Sequence, residues 1–488
     1  MAFPTTLLTI DRASATPVFL QLSDQLARHI QAGTLVAGQR LPGSRQLAAQ
    51  LGLHRQTVVA AYEEGLAQGW LMSRAGSGTF VAGPIDRHRP QGLGPMLPRP
   101  DPARQPGYVL TTRPHLTRPV LSSPGGLRLD DGFPDVRLAP VDALSRAYRS
   151  YFRWGNPQHH FGYGDTKGHP LLREQLARHL NETRGLRATA EQVLITRGSI
   201  MGMHLSCQVL LRPGDGVVVG DTHWAGATMN ARQAGATVVS IPVDQHGLDV
   251  AALAEYCAHS PVRLVCVTPH HHYPTTVTLR PDRRLQLLQL AEQYGFAILE
   301  DDYDYDFHYL SRPILPLASA DRAGMVVYVG SLTKSIAPAF RIGYVVGPAD
   351  LIDELARLRR IIDRQGDPML EFAVAQLLKS GDLARHFRKA LRTYAARRDQ
   401  FCTLLGAALP SVVEFQKPAG GLAVWAMFDP ALDMEALAER AGRAGLFMAS
   451  GIGHNPPGQR LNGTRLGFAS SNEAELEQAV AILRRSVG

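Results

Sequence analysis

A proline-rich stretch from residue 87 to residue 124 divides the 488-residue chain into two parts with separate cores. Proline removes a backbone donor and favours extended conformations, so a dense run of prolines supports neither a helix nor a strand. The prolines of this stretch are Pro90, Pro95, Pro98, Pro100, Pro102, Pro106, Pro114, Pro119 and Pro124. We therefore expect a semi-rigid or disordered linker over residues 83–126, between a compact unit (1–82) and a larger one (127–488).

The basic charge of the chain is concentrated in this linker. Residues 83–126 carry six arginines and two acids, whereas residues 127–488 carry 39 basic and 37 acidic residues. The linker charge indicates either simple solubility, the interpretation we favour, or a contact with nucleic-acid phosphates.

The composition excludes several classes of protein. A chain with 45% hydrophobic and 19% charged residues is typical of a globular protein rather than a disordered one. No apolar run approaches the ~18–20 residues that cross a bilayer, and Met1–Ile10 lacks a secretory signal pattern. The four cysteines form no C-x-x-C pair, which argues against a disulfide scaffold or a cysteine zinc site. We therefore predict a cytoplasmic protein without membrane contact or bound metal.

The first unit shows the pattern of a winged helix-turn-helix. Helical apolar spacing, a serine N-cap and glycines at helix ends predict three helices, and two short strands flank a glycine-rich turn. The predicted helices are Val18–Gln31, Ser44–Leu51 and Gln56–Gln68, and the predicted strands are Trp70–Arg74 and Thr79–Ala82. A tight turn before the third helix makes that helix the recognition helix.

This first unit resembles the GntR type of winged helix. The motifs that carry the resemblance are Pro17-x-x-x-Gln21, Leu41-Pro42-x-Ser44-Arg45-x-Leu47-Ala48, Leu51-Gly52-x-x-Arg55-x-Thr57-Val58, Ala61-Tyr62 and Gly76-x-Gly78-Thr79-Phe80-Val81. The resemblance implies a double-stranded DNA operator, contacted by Arg45, Arg55 and Thr57 at the starts of helices two and three. Gly78 would let the wing backbone approach the DNA. The alternative is a protein-binding winged helix with solvated arginines. His54 departs from the family pattern, which has the better N-cap serine there.

After the linker, apolar strand candidates alternate with helical stretches, which is typical of a largely parallel sheet covered by helices on both faces. The predicted strands are Val193–Thr196, Val217–Val219, Thr237–Ile241, Leu264–Thr268, Ala297–Glu300, Val326–Val329 and Ile342–Val346. From Pro368 onward the pattern is mostly helical. We therefore expect a large α/β lobe over residues 127–370 and a smaller α+β lobe over residues 371–488.

Amine chemistry has few candidates, because the chain contains only five lysines. Lys334 follows an apolar strand, with Ser331 three residues before it and Arg341 seven residues after it. This grouping resembles the Schiff-base lysine of fold-type I pyridoxal 5'-phosphate enzymes, in which the amine bonds the cofactor aldehyde. The hydroxyl and the guanidinium would hold the phosphate. The alternative is a surface lysine near a strand end.

The resemblance implies roles for the acids at the end of another strand. In Glu300-Asp301-Asp302-Tyr303, Asp301 would pair with the pyridine nitrogen and Tyr303 would bond the ring hydroxyl. Asp302 is the alternative to Asp301, since the register of adjacent acids is open. A metal-binding acidic cluster is disfavoured because no histidine is suitably spaced with it.

Five further residues complete the implied site. Ser199 and the Ile200 N–H, at a helix start, would cradle the phosphate, although Ser199 could be an ordinary N-cap. Trp224 would stack on the pyridine face, with a core tryptophan as the alternative. Tyr163 would reach the phosphate of a neighbouring subunit, and Arg465 would bind a ligand carboxylate with two parallel hydrogen bonds.

The order of winged helix, basic linker and aminotransferase-like unit resembles the MocR subgroup of GntR regulators over nearly the whole chain. It implies a homodimeric, pyridoxal-phosphate-dependent transcriptional regulator that senses an amine, an amino acid or the cofactor itself. One alternative is an active aminotransferase with a regulatory DNA-binding head. A structural dimeriser without cofactor is disfavoured by the presence of the site residues.

The loop from Thr268 to Thr276 departs from the subgroup pattern. His270 and His272 replace serine and glutamine, and Tyr273 stands where aminotransferases carry the asparagine that bonds the ring oxygen. The loss of that asparagine argues against efficient transamination. A metal site that uses His270, His271 and His272 is disfavoured, because adjacent loop residues point in different directions. We expect these histidines to alter the electrostatics of the ligand pocket, since histidine titrates near neutral pH.

Overall fold

The computed structural model describes most of the chain, namely residues 7–83, 106–116, 126–153, 161–310, 314–456 and 458–488. Contacts divide the chain into two compact units, Met1–Thr112 and Arg113–Gly488. Much of the predicted linker lies outside the described residues, and its described residues, 83, 106–116 and 126, belong to no helix or strand. In the described ranges, no helix is both long enough and apolar enough to cross a bilayer.

The first unit consists of three helices and a two-stranded antiparallel hairpin. Its elements are α1 (Val18–Gln31), α2 (Ser44–Leu51), α3 (Arg55–Ala67), β1 (Leu71–Arg74) and β2 (Gly78–Val81). The apolar faces of the three helices meet around the fully buried Leu22, Leu47 and Val58. Gly52 ends α2 in the left-handed conformation (φ 64°), which allows the tight turn into α3. The winged helix-turn-helix prediction is confirmed; α1 and α2 have the predicted bounds, and the bounds of the other elements shift by at most one residue.

The second unit alternates strands and helices along most of its length. In chain order its elements are β3 (Leu127–Leu129), α4 (Val141–Tyr151), α5 (Pro170–Arg184), β4 (Val193–Thr196), α6 (Ser199–Leu210), β5 (Gly216–Gly220), α7 (Ala225–Gln233), β6 (Thr237–Ile241), β7 (Val243–Asp244), β8 (Gly247–Leu248), α8 (Val250–His259), β9 (Leu264–Val267), α9 (Pro281–Tyr294), β10 (Ala297–Asp302), α10 (Leu317–Ala320), β11 (Val326–Ser331), β12 (Gly343–Val346), α11 (Ala349–Arg360), α12 (Pro368–Lys379), α13 (Asp382–Ala408), β13 (Val413–Phe415), β14 (Ala423–Phe428), α14 (Met434–Arg443), β15 (Leu446–Met448), β16 (Gly463–Gly467) and α15 (Glu473–Val487).

A seven-stranded sheet forms the centre of this unit, in the order β4-β12-β11-β10-β9-β5-β6. All neighbouring pairs are parallel except those of β12, which runs antiparallel to β4 and β11. Alternate residues of the strands pack against opposite helical layers, as Val327 and Val329 do on one face and Tyr328 does on the other. The predicted α/β sheet with both faces covered is therefore confirmed. The carboxyl ends of β10 and β11 lie side by side, which is where ligands bind in sheets of this kind.

The C-terminal lobe contains a three-stranded antiparallel sheet, β13-β14-β16, packed against α13 and α15. A second, parallel pair joins β15 to β3. We placed Leu127–Leu129 at the start of the large lobe, but in the structure these residues pair with Leu446–Met448. The physical reason is that Leu129 is fully buried in the apolar core of the C-terminal lobe.

Candidate functional site

Lys334 lies just beyond the end of β11, above the edge of the central sheet. Its Nζ donates to the carbonyl oxygen of Gly132 (3.0 Å) and lies 4.0 Å from the centre of the Phe133 ring. Burial lowers the pKa of Lys334, and the nearby Asp131 and Asp130 only partly oppose this effect. A lowered pKa favours the neutral amine, which is the form that attacks an aldehyde.

Asp301 lies near the end of β10, and one of its carboxyl oxygens, Oδ1, is buried. Its Oδ1 has no hydrogen-bond partner among the described residues. Burial raises the pKa of Asp301 well above its usual range, and Asp302 and Asp304 raise it further, whereas Lys334 lowers it. An unpartnered buried carboxylate oxygen is costly, so this group fits a ligand that brings an N–H donor to it.

Asp302 points to the other side of the strand, because successive side chains alternate. The Tyr328 hydroxyl donates to its Oδ2 (2.5 Å), and His270 Nδ1 lies 3.6 Å from its Oδ1. Burial raises the pKa of Asp302 to about 6. Of the two acids we considered, Asp301 is therefore the one that lines the open cavity at the sheet edge.

This cavity collects residues from several strand ends and loops. Trp224, the N-cap residue of α7, lines it together with Asp301 and Tyr273. Tyr303 lies beside Tyr273, with ring centres 6.4 Å apart, and its hydroxyl donates to the His271 carbonyl oxygen (3.0 Å). The structure thus brings Trp224 into the same cavity as Asp301 and places Tyr303 against Tyr273 in its wall.

An anion cradle forms where α6 begins. Gly198, the N-cap of α6, has φ 78°, and a Cβ at this position would lie 2.8 Å from Nη2 of Arg341. Arg341 donates from that atom to the Arg197 carbonyl oxygen (3.0 Å). Gly343 packs against the Ser199 amide nitrogen and pairs in register with Ser331.

The cradle combines three features that bind phosphate. These are the free N–H groups of a helix N-terminus, a guanidinium and a nearby hydroxyl. Ile200 lies in the first turn of α6, and its side chain is 46% exposed. The predicted phosphate residues Ser199, Ile200, Ser331 and Arg341 therefore converge on one corner of the sheet.

Arg465 comes from β16 and is almost fully buried (3% exposed). Its Nη1 donates to the Pro274 carbonyl oxygen (3.0 Å), and its Nε lies 2.9 Å from Oδ1 of Asp131. The guanidinium also lies over the Tyr273 ring, 4.7 Å from its centre. Arg465 and Lys334 are thus linked through the short segment 131–133.

Sequence reasoning missed this segment. Asp131 contacts Arg465, and the carbonyl of Gly132 and the ring of Phe133 contact Lys334. The available signal was the pair of acids before a glycine, directly after the strand β3.

Tyr163 is not brought to Lys334 within one chain. It is 80% exposed, and the Arg364 guanidinium lies 3.9 Å from the centre of its ring. Tyr163 lines a different cavity, whose wall also includes His169 and the buried Glu371.

The three adjacent histidines have separate partners. His270 contacts the Ile314 carbonyl oxygen, His271 Nδ1 lies 2.8 Å from Asp304 Oδ1, and His272 Nδ1 lies 2.9 Å from the Thr275 hydroxyl. Within the described ranges, no three histidine, cysteine or acidic side chains are grouped so as to hold a metal ion.

Our expectation that these histidines titrate near neutral pH is wrong for two of them. Burial lowers the pKa of His272 to about 3 and lowers that of His270 well below its usual range. Both rings are therefore neutral at neutral pH, and His272 lines the cavity beside Asp301 as an uncharged group.

In the first unit, the predicted DNA residues lie at the surface. Arg45 is the second residue of α2 and Arg55 the first residue of α3, and both side chains are exposed. Thr57 is half-buried in the first turn of α3. Gly78, at the start of the wing strand β2, has φ 111°, and the exposed Arg40 lies beside it. Arg40 is a further exposed cation beside the wing, and the sequence analysis did not include it.

Comparison with known proteins shows relatives of the same architecture. Residues 133–485 match the family model "Aminotransferase class I and II", and residues 20–81 match "Bacterial regulatory proteins, gntR family". The chain is 30% identical to the probable rhizopine catabolism regulatory protein MocR of Rhizobium meliloti, over 98% of this chain and 95% of that protein. It is 32% identical to the HTH-type transcriptional regulator TauR of Rhodobacter capsulatus, over 96% of each. A solved structure, the multiple substrate aminotransferase of Thermococcus profundus, matches with a TM-score of 0.69 and 28% identity, over 74% of this chain and 91% of that chain.

These matches define a class of protein, a winged-helix regulator fused to an aminotransferase fold. The chain belongs to the MocR-type members of the gntR family of bacterial regulatory proteins, as the sequence motifs predicted. It is a DNA-binding transcriptional regulator, and its cofactor is pyridoxal phosphate. The site fits this cofactor, since it offers a lysine of lowered pKa, an unpartnered carboxylate oxygen and an anion cradle.

Proposed function

We propose that the second unit senses a small primary amine, an amino acid or pyridoxal phosphate itself, and that its occupancy changes how the first unit binds an operator. One observation carries this proposal. An amine nucleophile and a buried guanidinium, Lys334 and Arg465, meet on the segment 131–133, in a chain whose other unit exposes Arg45 and Arg55. A ligand with an amine and an anion matches the first pair, and DNA phosphates match the second.

In our proposal, different residues of the site bind different parts of the cofactor. When bound, pyridoxal phosphate supplies an aldehyde that captures primary amines. In our proposal Lys334 would bond that aldehyde, Asp301 would accept from the ring nitrogen, and Ser199, Ser331 and Arg341 would hold the phosphate.

The remaining residues position the ring and the ligand. Trp224 would pack against the ring face, and Tyr303 would hydrogen-bond the ring hydroxyl. Arg465, which lies on β16 of the C-terminal lobe, would orient the anionic end of the ligand. A ligand that contacts Arg465 and Lys334 therefore ties the small lobe to the large one.

We also propose that the regulator is a homodimer in the cytoplasm, where its operator lies. The exposure of Tyr163, which lines a different cavity from Asp301 and Trp224, supports a contact with a second copy. Two copies would present two winged helices, which matches two half-sites in an operator. Light scattering of the full chain should give twice the monomer mass. A monomeric mass at micromolar concentration would contradict the homodimer.

The experiment that tests the sensor is an operator-binding titration. A duplex from the region upstream of the coding sequence is bound to the full chain at near-physiological salt, with and without pyridoxal phosphate, and then with individual amino acids. Coupling of 1–3 kcal/mol corresponds to a change in operator affinity of about 5- to 150-fold. Operator affinity that stays the same with every ligand that binds the protein would contradict the sensor.

The second candidate is a working aminotransferase. The joint presence of Lys334, Asp301 and Arg465 in the second unit favours it. Many turnovers of an amino donor and a keto acid per protein molecule would establish the enzyme, whereas a single turnover of bound cofactor supports the sensor.

A further inference from the structure

Arg465 already has a carboxylate partner from its own chain. Asp131 Oδ1 lies 2.9 Å from Arg465 Nε, and the Tyr273 hydroxyl lies 3.0 Å from both Oδ1 and Oδ2 of the same carboxylate. The three residues come from segments that are far apart in the chain. The fold itself therefore directs an acid onto the guanidinium that would bind the anion of a ligand.

This contact neutralises Arg465 without using its hydrogen-bonding geometry. The Nε–H has no well-directed hydrogen-bond partner in the described part of the chain, although Asp131 is within ion-pair distance. Arg465 is only 3% exposed, so water does not supply the missing bond. A planar anion that accepts two parallel N–H groups would satisfy this guanidinium better than Asp131 does.

Asp131 is partly exposed to solvent, and turning it away from Arg465 also breaks its hydrogen bond with the Tyr273 hydroxyl. Its side chain is 38% exposed, so the carboxylate reaches water by rotation. The neighbouring Asp130 is buried, and it accepts from the Ser470 hydroxyl (2.7 Å) and from the backbone N–H groups of Gly132 and Phe133. Asp130 therefore fixes the backbone here, so that rotation of the Asp131 side chain requires no change in the main chain.

We propose that Asp131 is an internal competitor for the anion site, so that a ligand carboxylate binds Arg465 only when Asp131 leaves it. This inference rests on the proposed function and narrows it. The ligand class is an amino acid or another amine with a planar anionic group, because a plain amine would leave Asp131 in place. Asp131 thereby raises the ligand concentration at which half of the anion sites are occupied.

The size of the effect follows from competition. The apparent dissociation constant equals the intrinsic constant divided by the fraction of molecules in which Arg465 is free. If Asp131 occupies Arg465 in about nine molecules of ten, its removal strengthens anion binding by about tenfold. Asp131→Asn removes the charge and keeps the size and an acceptor for the Tyr273 hydroxyl.

Maleate is a suitable probe because it carries planar carboxylates and no amine. Its affinity is measured by isothermal titration calorimetry on the full chain, loaded with pyridoxal phosphate and again without it. We expect Asp131→Asn to bind maleate about tenfold more tightly than the parent chain. Arg465→Ala should bind it at least about tenfold more weakly. Asp142→Asn is the matched control, since it removes an exposed acid on α4 and should match the parent.

The competitor role is overturned if Asp131→Asn binds maleate with the affinity of the parent, or if Arg465→Ala binds it as well as the parent. If Asp131→Asn does not fold, as judged by circular dichroism, Asp131→Ser serves the same test. Different results would contradict the proposed function. These are a parent chain that binds no pyridoxal phosphate, or a parent chain whose operator affinity is unchanged by every ligand that binds it.

Discussion

The two units present their functional groups in opposite ways. Arg45 and Arg55 lie exposed at helix starts, whereas Lys334 and Asp301 are buried, and burial lowers the pKa of the lysine and raises that of the acid. Binding to DNA phosphates works through accessible charge and depends on salt. Reaction of an amine at neutral pH requires a lowered pKa, and burial provides it. A substitution in the first unit therefore removes one contact, while a substitution in the second disturbs several coupled groups.

The largest expected effect is the loss of Lys334. Lys334→Ala should abolish covalent attachment of the cofactor, because no other lysine in the described ranges lines the cavity with Asp301, while circular dichroism stays that of the parent. The visible absorption spectrum of the bound cofactor, and its trapping by borohydride, measure the attachment. Lys379→Ala is the control, since Lys379 is exposed at the end of α12. If the absorption band of the covalently bound cofactor persisted in Lys334→Ala, another lysine would have to bond the cofactor.

Substitutions in the first unit should have a smaller effect than Lys334→Ala, and the effect should be confined to DNA binding. Arg45→Ala or Arg55→Ala should weaken operator binding by about 10- to 100-fold, as expected for a lost arginine contact to phosphate or guanine. The cofactor spectrum should not change. Arg28→Ala, on the exposed surface of α1, should stay within about twofold of the parent. Unchanged binding by both variants at near-physiological salt would exclude a DNA role for these two arginines.

The buried histidine predicts a pH effect on the second unit. The folded-state pKa of His272 is about 3, below the usual value of about 6.5. The unfolded state therefore binds the extra proton between these values, and stability falls as the pH falls from 6.5 toward 3. His272→Gln should remove about 2 kcal/mol of the stability loss between pH 7 and pH 5.

Urea unfolding of the second unit at these two pH values measures this difference. His259→Gln, which changes an exposed histidine at the end of α8, should keep the pH dependence of the parent. An equal loss of stability in the parent and in His272→Gln would contradict a neutral, buried His272.

The smallest effect concerns the start of the recognition helix. His54 is the N-cap of α3, but its Nδ1 accepts from the Gln56 amide at 3.3 Å, which is a long hydrogen bond. His54→Ser should stabilise the first unit by about 0.5–1 kcal/mol, because serine is a better N-cap. Thermal unfolding followed by helical circular dichroism would show the gain. A less stable variant would indicate that His54 makes a favourable contact of its own.

Much of the fold was accessible from sequence because its signals are local. The strands β4 and β6 have the predicted bounds, since each is a short run of β-branched and apolar residues. The pairing of Leu127–Leu129 with Leu446–Met448 was not accessible, because no local pattern relates strands so far apart in the chain.

The functional site likewise combines residues that a local motif predicts with contacts that no local motif predicts. Lys334, Ser331 and Arg341 lie within eleven residues and carry a recognisable motif. The contact of Asp131 with Arg465 joins residues from opposite ends of the unit and is visible only in three dimensions. The expectation for His272 failed because its pKa depends on burial, which the residue type does not reveal.

The pairing of β3 with β15 has a consequence for synthesis on the ribosome. The first unit makes its core from residues before the linker, so it can fold as soon as it emerges. The second unit cannot complete its C-terminal lobe until Leu446–Met448 emerge, more than 300 residues after the strand they pair with. Contacts of such long range slow folding. A nascent chain therefore carries a finished DNA-binding unit well before the unit that would regulate it is complete.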